Sequence, residues 1–348
     1  MVKALRWVLC AIVLAHTAAV EMSFTASNTA SSTTDIESSS SAITTTEGRD
    51  GTSRKFSGTP TELDHNLLKS RSRGSVQRPT YVGARFAGDD TAFEMQKEWD
   101  VQFNTITVYR PIDSVGYKSI RTEGKKLQLV TEMFRSIDDI ADGCYDDEVR
   151  SLARAIADKG VNVWIRFLHE FNSENTYPWC LYPFTDAKIA TFKRAWRRIV
   201  SIYREERAPV KFQLCFMAKN PGGDKDRTPF SAFNPGRDYV DAVGVDVYVN
   251  AAKHMPSLKE KLNDGIYEQL LWFGKPIFIG EMSVTTKIPD RPQWIFDAWH
   301  ALALDFPRIK YISWFLECKG DKRPWCLLKQ EEIDAFVTGL RNFKELTS

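Results

Sequence analysis

No charge dominates this sequence of 348 residues: 47 Lys and Arg stand against 45 Asp and Glu, a formal charge of +2. Nothing in that balance points to a nucleic-acid partner, and none is expected. Cysteine is scarce, with six residues, and Cys10 falls in the apolar stretch at the amino terminus. The other five (Cys144, Cys180, Cys215, Cys318 and Cys326) are odd in number, so at least one is free or pairs between chains. Their spacing fits no zinc site, and neither a metal nor an organic cofactor is expected. No Asn-x-Ser/Thr sequon occurs. No glycine-rich phosphate loop follows the first strand, since Gly222-Gly223 lacks the G-x-G-x-x-G context, which argues against a nucleotide site. After the amino-terminal stretch no uncharged apolar run is long enough to span a membrane.

Residues 1–19 read as a secretory signal peptide. Lys3 and Arg6 supply the positive start, Trp7 to Ala15 the apolar core, and Thr17-Ala18-Ala19 a small-residue cleavage site. A secreted, extracellular protein follows from this. Residues 20–78 are rich first in Ser and Thr, then in Lys, Arg, Gly and Pro, and hold too few apolar residues for a core. They read as a disordered linker. Its basic run Leu67-Leu68-Lys69-Ser70-Arg71-Ser72-Arg73 is either a solvated, protease-sensitive stretch or part of a host-targeting leader. In layout the arm resembles the leaders of oomycete RxLR effectors, although no Arg-x-Leu-Arg is present. That leaves delivery into a host cell, and an unknown host target, open.

From residue 79 onward short apolar runs alternate with amphipathic helices. Strands are predicted at residues 81–86, 105–110, 127–133, 161–170, 211–217, 242–248, 276–281 and 309–317. Helices are predicted at 91–99, 146–159, 186–206, 258–273, 294–304 and 331–343. Cys215 sits inside an apolar strand and is expected to be a small core residue. Eight such units in about 270 residues have the count and size of a (β/α)8 TIM barrel, with a doubly wound open sheet as the alternative.

In a barrel the strand ends converge on one mouth. Glu170 closes the fourth strand and Glu281 the seventh; Glu132, His169, Asn172, Asp246, Tyr248, Trp314 and Glu317 lie at corresponding ends. Tyr177, Trp179 and Tyr182 follow closely after the fourth strand. Paired carboxylates among aromatics suit glycoside hydrolysis, in which one acid protonates the leaving oxygen and the other attacks the anomeric carbon or activates water. The rings offer faces for sugars.

Arg166-Phe167-Leu168-His169-Glu170-Phe171-Asn172 resembles the fourth strand of glycoside hydrolase family 26, whose familiar members are endo-β-1,4-mannanases. Tyr177-Pro178-Trp179, Ala195 to Val200, Val240 to Tyr248, Lys275 to Glu281 and Phe306 to Phe315 are similar to successive later segments of that family. The resemblance covers roughly residues 80–345. It implies Glu170 as general acid/base, Glu281 as nucleophile, His169 orienting the acid or contacting sugar beside the cleavage point, Tyr248 bonded to the nucleophile and Trp314 as the floor of a sugar subsite, with Asn172 and Trp179 also expected to bind substrate. Ser173 replaces the family's usual Gly, and the third strand ends Thr-Glu-Met rather than Glu-Pro. These departures bear on substrate more than on reaction.

Each assignment has a plainer counterpart. Glu170 and Glu281 form a structural pair, His169 is a core histidine, and Trp179 and Trp314 are core tryptophans. Glu132 and Glu317 either bind substrate or pair with Arg110 or Arg166. The function expected is a secreted, retaining hydrolase cutting internal β-linkages of a polysaccharide, most simply β-1,4-mannan. β-Glucan and β-1,3-xylan are alternatives on the same chemistry, and a non-catalytic, host-directed binding barrel is an alternative of another class. The Cys318–Cys326 loop is short and polar, and a disulfide is expected there.

Overall fold

A computed structural model describes residues 80–250, 256–319 and 323–348. The signal-peptide and linker expectations lie outside these residues. The described chain alternates strand and helix: β1 (Tyr81–Arg85), α1 (Thr91–Glu98), β2 (Thr105–Pro111), α2 (Ser114–Lys118), β3 (Lys126–Glu132), α3 (Ile137–Asp142), α4 (Asp146–Lys159), β4 (Val163–Phe167) and α5 (Asp186–Glu205). Then come β5 (Val210–Met217), β6 (Ala242–Val249), α6 (Leu258–Asn263), α7 (Ile266–Trp272), β7 (Ile277–Val284), α8 (Arg291–Leu304) and β8 (Ile309–Phe315). A small hairpin, β9 (Cys318–Lys319) with β10 (Arg323–Pro324), precedes α9 (Gln330–Thr347).

The eight long strands form one sheet in the order β1-β8-β7-β6-β5-β4-β3-β2, every pair parallel. The two end strands meet at Asn104, whose backbone N–H donates to Val82 O at 3.0 Å and whose Oδ1 accepts from Val82 N at 2.6 Å. This is the expected (β/α)8 barrel. Its strands are apolar because both faces are covered, by helices outside and by other strands' side chains inside. Deep in the interior Tyr81, Trp164, Cys215, Ala242, Phe278 and Tyr311 form an apolar plug. Polar pairs share the interior with it, as in Thr107 Oγ1 to Ser313 Oγ at 2.9 Å and Gln213 Nε2 to Gln128 Oε1 at 3.2 Å.

The helices begin and end where side chains satisfy their termini. Ser136, Thr185 and Asp290 accept from backbone N–H groups in the first turns of α3, α5 and α8. On α4 three acids occupy the first turn and Lys159 the last, complementing the helix dipole. The helix predicted over 258–273 is two helices, because Gly265 adopts φ +73 between them. The short helices α2 and α3 lie in segments that the periodicity left unassigned.

Candidate active site

Four strand ends build the mouth. On β4 the alternation turns Trp164 and Arg166 inward and Phe167 outward against Trp196. The chain then leaves the strand through two left-handed residues, Leu168 (φ +49) and Glu170 (φ +53). Non-glycine residues are uncommon in that region and collect at functional sites. Here the turn brings Glu170 toward Asp246 and Glu281, with its N–H bonded to Cys215 O at 3.1 Å.

Glu281 reaches the mouth by a different device. The register between β6 and β7 shifts after Val245, pairing Asp246 with Glu281, and the β7–β8 register shifts over the same stretch. An extra residue in one strand brings two successive side chains to one face. Gly280 and Glu281 therefore both face inward, and Gly280 tolerates this only because it has no Cβ: the Arg166 guanidinium and Asp246 Oδ1 occupy that space.

Glu170, Asp246 and Glu281 each bring a carboxylate oxygen to within 4.8 Å of the others. All three are buried, at 7%, 0% and 6% exposure, so only the two glutamates touch the opening. Arg166 is the shared cation. Its Nη1 lies 2.8 Å from Asp246 Oδ1 and 3.6 Å from Glu281 Oε1. Its Nη2 donates to Gly280 O and Tyr109 Oη, both at 3.4 Å. The Tyr109 hydroxyl donates to one oxygen of Glu281 and the Tyr248 hydroxyl to the other.

These contacts fix the charge state. Burial works against the Glu281 carboxylate, but Arg166, His169 and the two phenol hydrogen bonds outweigh it and hold the carboxyl below its ordinary range. Burial and then the charge of Glu281 push both tyrosines well above the usual phenol, so they stay donors. Burial, reinforced by Glu281, pushes Asp246 up to about 8 despite Arg166.

His169 is buried beside Glu170, with Nε2 2.9 Å from Tyr177 Oη and its carbonyl accepting from Trp179 Nε1 at 2.9 Å. Tyr177 stacks on Trp179 with centroids 4.4 Å apart and planes within 5°. Trp179 is fully buried, so it supports Tyr177 and His169 from below, and Tyr177, half-buried, is the ring of this stack nearest solvent. Asn172 is likewise fully buried: it clamps Met217 through both backbone groups, at 2.7 and 3.2 Å, and reaches Asn220 at 3.0 Å. It joins the β4 loop to the end of β5.

Trp314 lies away from the mouth. Alternation along β8 turns Ser313 and Phe315 inward, and Trp314 packs outward against Trp299 at 5.4 Å and Phe336 at 5.3 Å. The ring beside Tyr248 and Tyr109 is Phe315, at 5.9 and 6.4 Å. Trp314→Ala should therefore destabilise the fold by about 3–5 kcal/mol while leaving KM of the folded enzyme unchanged; a large rise in KM with unaltered melting would return Trp314 to the substrate. Glu317 pairs with Arg85 at 3.4 Å, and Arg110 pairs with Asp89, so neither arginine named from sequence takes Glu317. Glu132 ends β3 at the mouth, half-buried.

Three further aromatics belong to the mouth. Tyr109 was legible in principle, since it faces inward with Thr107 in the alternation of β2. Phe134, just past β3, is 54% exposed and 6.0 Å from Trp179. Trp325 lies inside the loop closed by the Cys318–Cys326 disulfide and contacts Tyr248 at 4.6 Å. Its carbonyl accepts from Ser283 Oγ at 3.1 Å and Arg291 Nη2 at 3.0 Å, and Arg291 pairs with Glu332 at 2.9 Å. Replacing both cysteines by serine should cost about 2–3 kcal/mol, a melting shift of roughly 5–10 °C. It should also lower kcat by loosening the wall behind Tyr248; unchanged melting and turnover would show that the loop holds itself.

Residues 100–304 match the model of glycosyl hydrolase family 26, a span that includes Glu170 and Glu281. Endoglucanase H of Acetivibrio thermocellus is 27% identical over 187 residues, which is 52% of this chain and 20% of that protein. The chain thus spans about a fifth of the length of the curated relative it matches. Among solved structures, a family 26 β-mannanase from Bacteroides ovatus aligns with a TM-score of 0.55 at 15% identity over 80% of this chain and 92% of that one. The catalytic domain of a family 26 endo-β-1,4-mannanase from Bacillus sp. JAMB-750 aligns with a TM-score of 0.59 at 14% identity, over 76% and 86%. At such identities the structures share the fold.

Proposed function

From the premise that the chain belongs to glycosyl hydrolase family 26, we propose that it is a secreted, retaining endo-β-glycosidase acting on β-1,4-mannan. The observation that carries the mechanism is the approach of the Glu170 and Glu281 oxygens to within 4.8 Å. Retaining glycosidases hold their carboxyls about 5–5.5 Å apart, whereas inverting ones need about 6.5–9.5 Å to admit a water. Glu281, kept ionised, attacks the anomeric carbon from one face of the sugar. Glu170 gives its proton to the leaving oxygen. A glycosyl-enzyme forms on Glu281, and Glu170, now a carboxylate, takes a proton from the water that releases it. Tyr109 and Tyr248 hold the Glu281 oxygens, and their hydrogen bonds orient the nucleophile.

The choice of mannan is supported by the mannanases that share the fold; a β-glucan is the second reading, favoured by the endoglucanase relative. Internal cleavage is supported by rings set apart along the mouth: Tyr177 and the exposed Phe134 offer sugars a surface on either side of Trp179. Secretion is supported by the leader-like residues 1–19 and the Cys318–Cys326 bond. Reducing-sugar release and viscosity, measured on mannan, mixed-linkage β-glucan and β-1,3-xylan, test the proposal. Mannan should lose viscosity before single sugars appear. Preference for glucan would move the substrate, and release from no glycan would leave the barrel as a binding module.

A further inference from the structure

Three carboxyl groups meet at the mouth, and the two-step reaction uses only Glu170 and Glu281. Asp246 is fully enclosed and takes part in neither step. The groups facing it come from every side: Arg166 on β4, Cys215 on β5, Glu281 on β7, Tyr109 on β2, Tyr248 on its own strand, and Glu170 and Tyr177 from the loop after β4. Among the described residues, Arg166 is the one guanidinium that contacts both Asp246 and Glu281.

The donors are divided unequally. Each oxygen of Glu281 receives a tyrosine hydroxyl. Asp246 Oδ1 receives Arg166 Nη1 at 2.8 Å and the Cys215 thiol at 3.2 Å, while Oδ2, buried, has no hydrogen-bond partner. Carboxyls this close cannot all be ionised around one cation. The charge settles where both oxygens are bonded, and a buried carboxylate oxygen with no donor is costlier than the same atom carrying a proton. We propose that Asp246 is a positioning residue that works as the neutral acid, accepting from Arg166 to hold it while leaving its positive charge to Glu281. Burial of Asp246 pushes its carboxyl in the same direction. The inference rests on Glu281 being the nucleophile.

Asn is nearly isosteric with the neutral acid and keeps an oxygen for Arg166; Ala does not. On the glycan the enzyme cleaves, Asp246→Asn should retain kcat/KM within about tenfold, and Asp246→Ala should fall at least about a hundredfold. The low-pH limb of kcat/KM reports Glu281. If Asp246 is already neutral, Asn removes no charge and the limb stays in place. A downward movement of about one unit or more in Asp246→Asn, or an Asn variant as inactive as the Ala variant, overturns the proposal. Infrared spectra of the unliganded protein at neutral pH supply a readout without turnover. The carbonyl stretch of a protonated carboxyl should persist in Glu170→Gln, where Glu170 no longer contributes, and weaken in Asp246→Asn. Its absence from Glu170→Gln overturns the proposal even if the Asp246 variants fail to fold or no glycan is cleaved.

Discussion

Glu281→Ala is expected to abolish turnover of every glycoside, with kcat down by roughly four orders of magnitude or more, equivalent to at least about 5.5 kcal/mol of barrier. The reason is chemical: Glu281 has each oxygen held by a tyrosine hydroxyl, and Asp246, the near neighbour, is fully enclosed. The substitution also removes the charge that raises Asp246, so Arg166 and Asp246 should relax into a simple ion pair. A cooperative melting curve will show that the loss is one of chemistry. The pH dependence of the native enzyme follows from the same contacts. Glu281 is held below its ordinary range, so activity that needs its anion is present above that depressed value and is lost as pH falls through it. The acid limb should lie below about 4.3, the unperturbed glutamate value. An acid limb near 6, or Glu281→Ala within tenfold of the native enzyme, would remove Glu281 from the chemistry.

The barrel was legible because it is written in periodicity. Eight β-branched or aromatic runs separated by amphipathic stripes allow few other architectures, and strand ends then nominate their own residues. Glu170 and Glu281 could be read as a pair for that reason. What periodicity cannot carry is where a strand breaks its own alternation. Counting alternate residues through β7 faces Phe278 and Gly280 inward and Glu281 outward; the register shift beside Gly280 reverses the last of these. On β8 there is no such shift between Ser313 and Phe315, and strict alternation sends Trp314 to the helices, where a large ring fills the space beside Trp299. Asn172 and Trp179 sit one loop away from the chemistry, and their roles depend on long-range partners, Met217 and Tyr177, that no local pattern announces. Trp325 is more distant still, since its position depends on a disulfide and on the Arg291–Glu332 pair.

Glu170→Ala should behave differently from Glu281→Ala, and the difference assigns the two roles. The acid matters most when the leaving group is poor. With a natural glycan, loss of the proton donor should lower kcat by about two to four orders of magnitude. With an aryl glycoside whose leaving group departs without protonation, the first step should persist. Glu281 keeps its two tyrosine donors and Arg166. The second step then lacks its base, so the glycosyl-enzyme should accumulate, visible as a burst and as added mass on the peptide containing Glu281. Azide needs no base and fits the space of the missing carboxyl. Added azide should restore turnover, and because it attacks from the Glu170 side, opposite Glu281, the product should be the β-azide. Under the same assignment, azide added to Glu281→Ala enters from the nucleophile's face and gives the α-azide. The α-azide from Glu170→Ala would exchange the roles of the two residues. An inverting enzyme would show no burst and no glycosyl peptide, and that outcome would contradict what the 4.8 Å approach of the carboxylates implies.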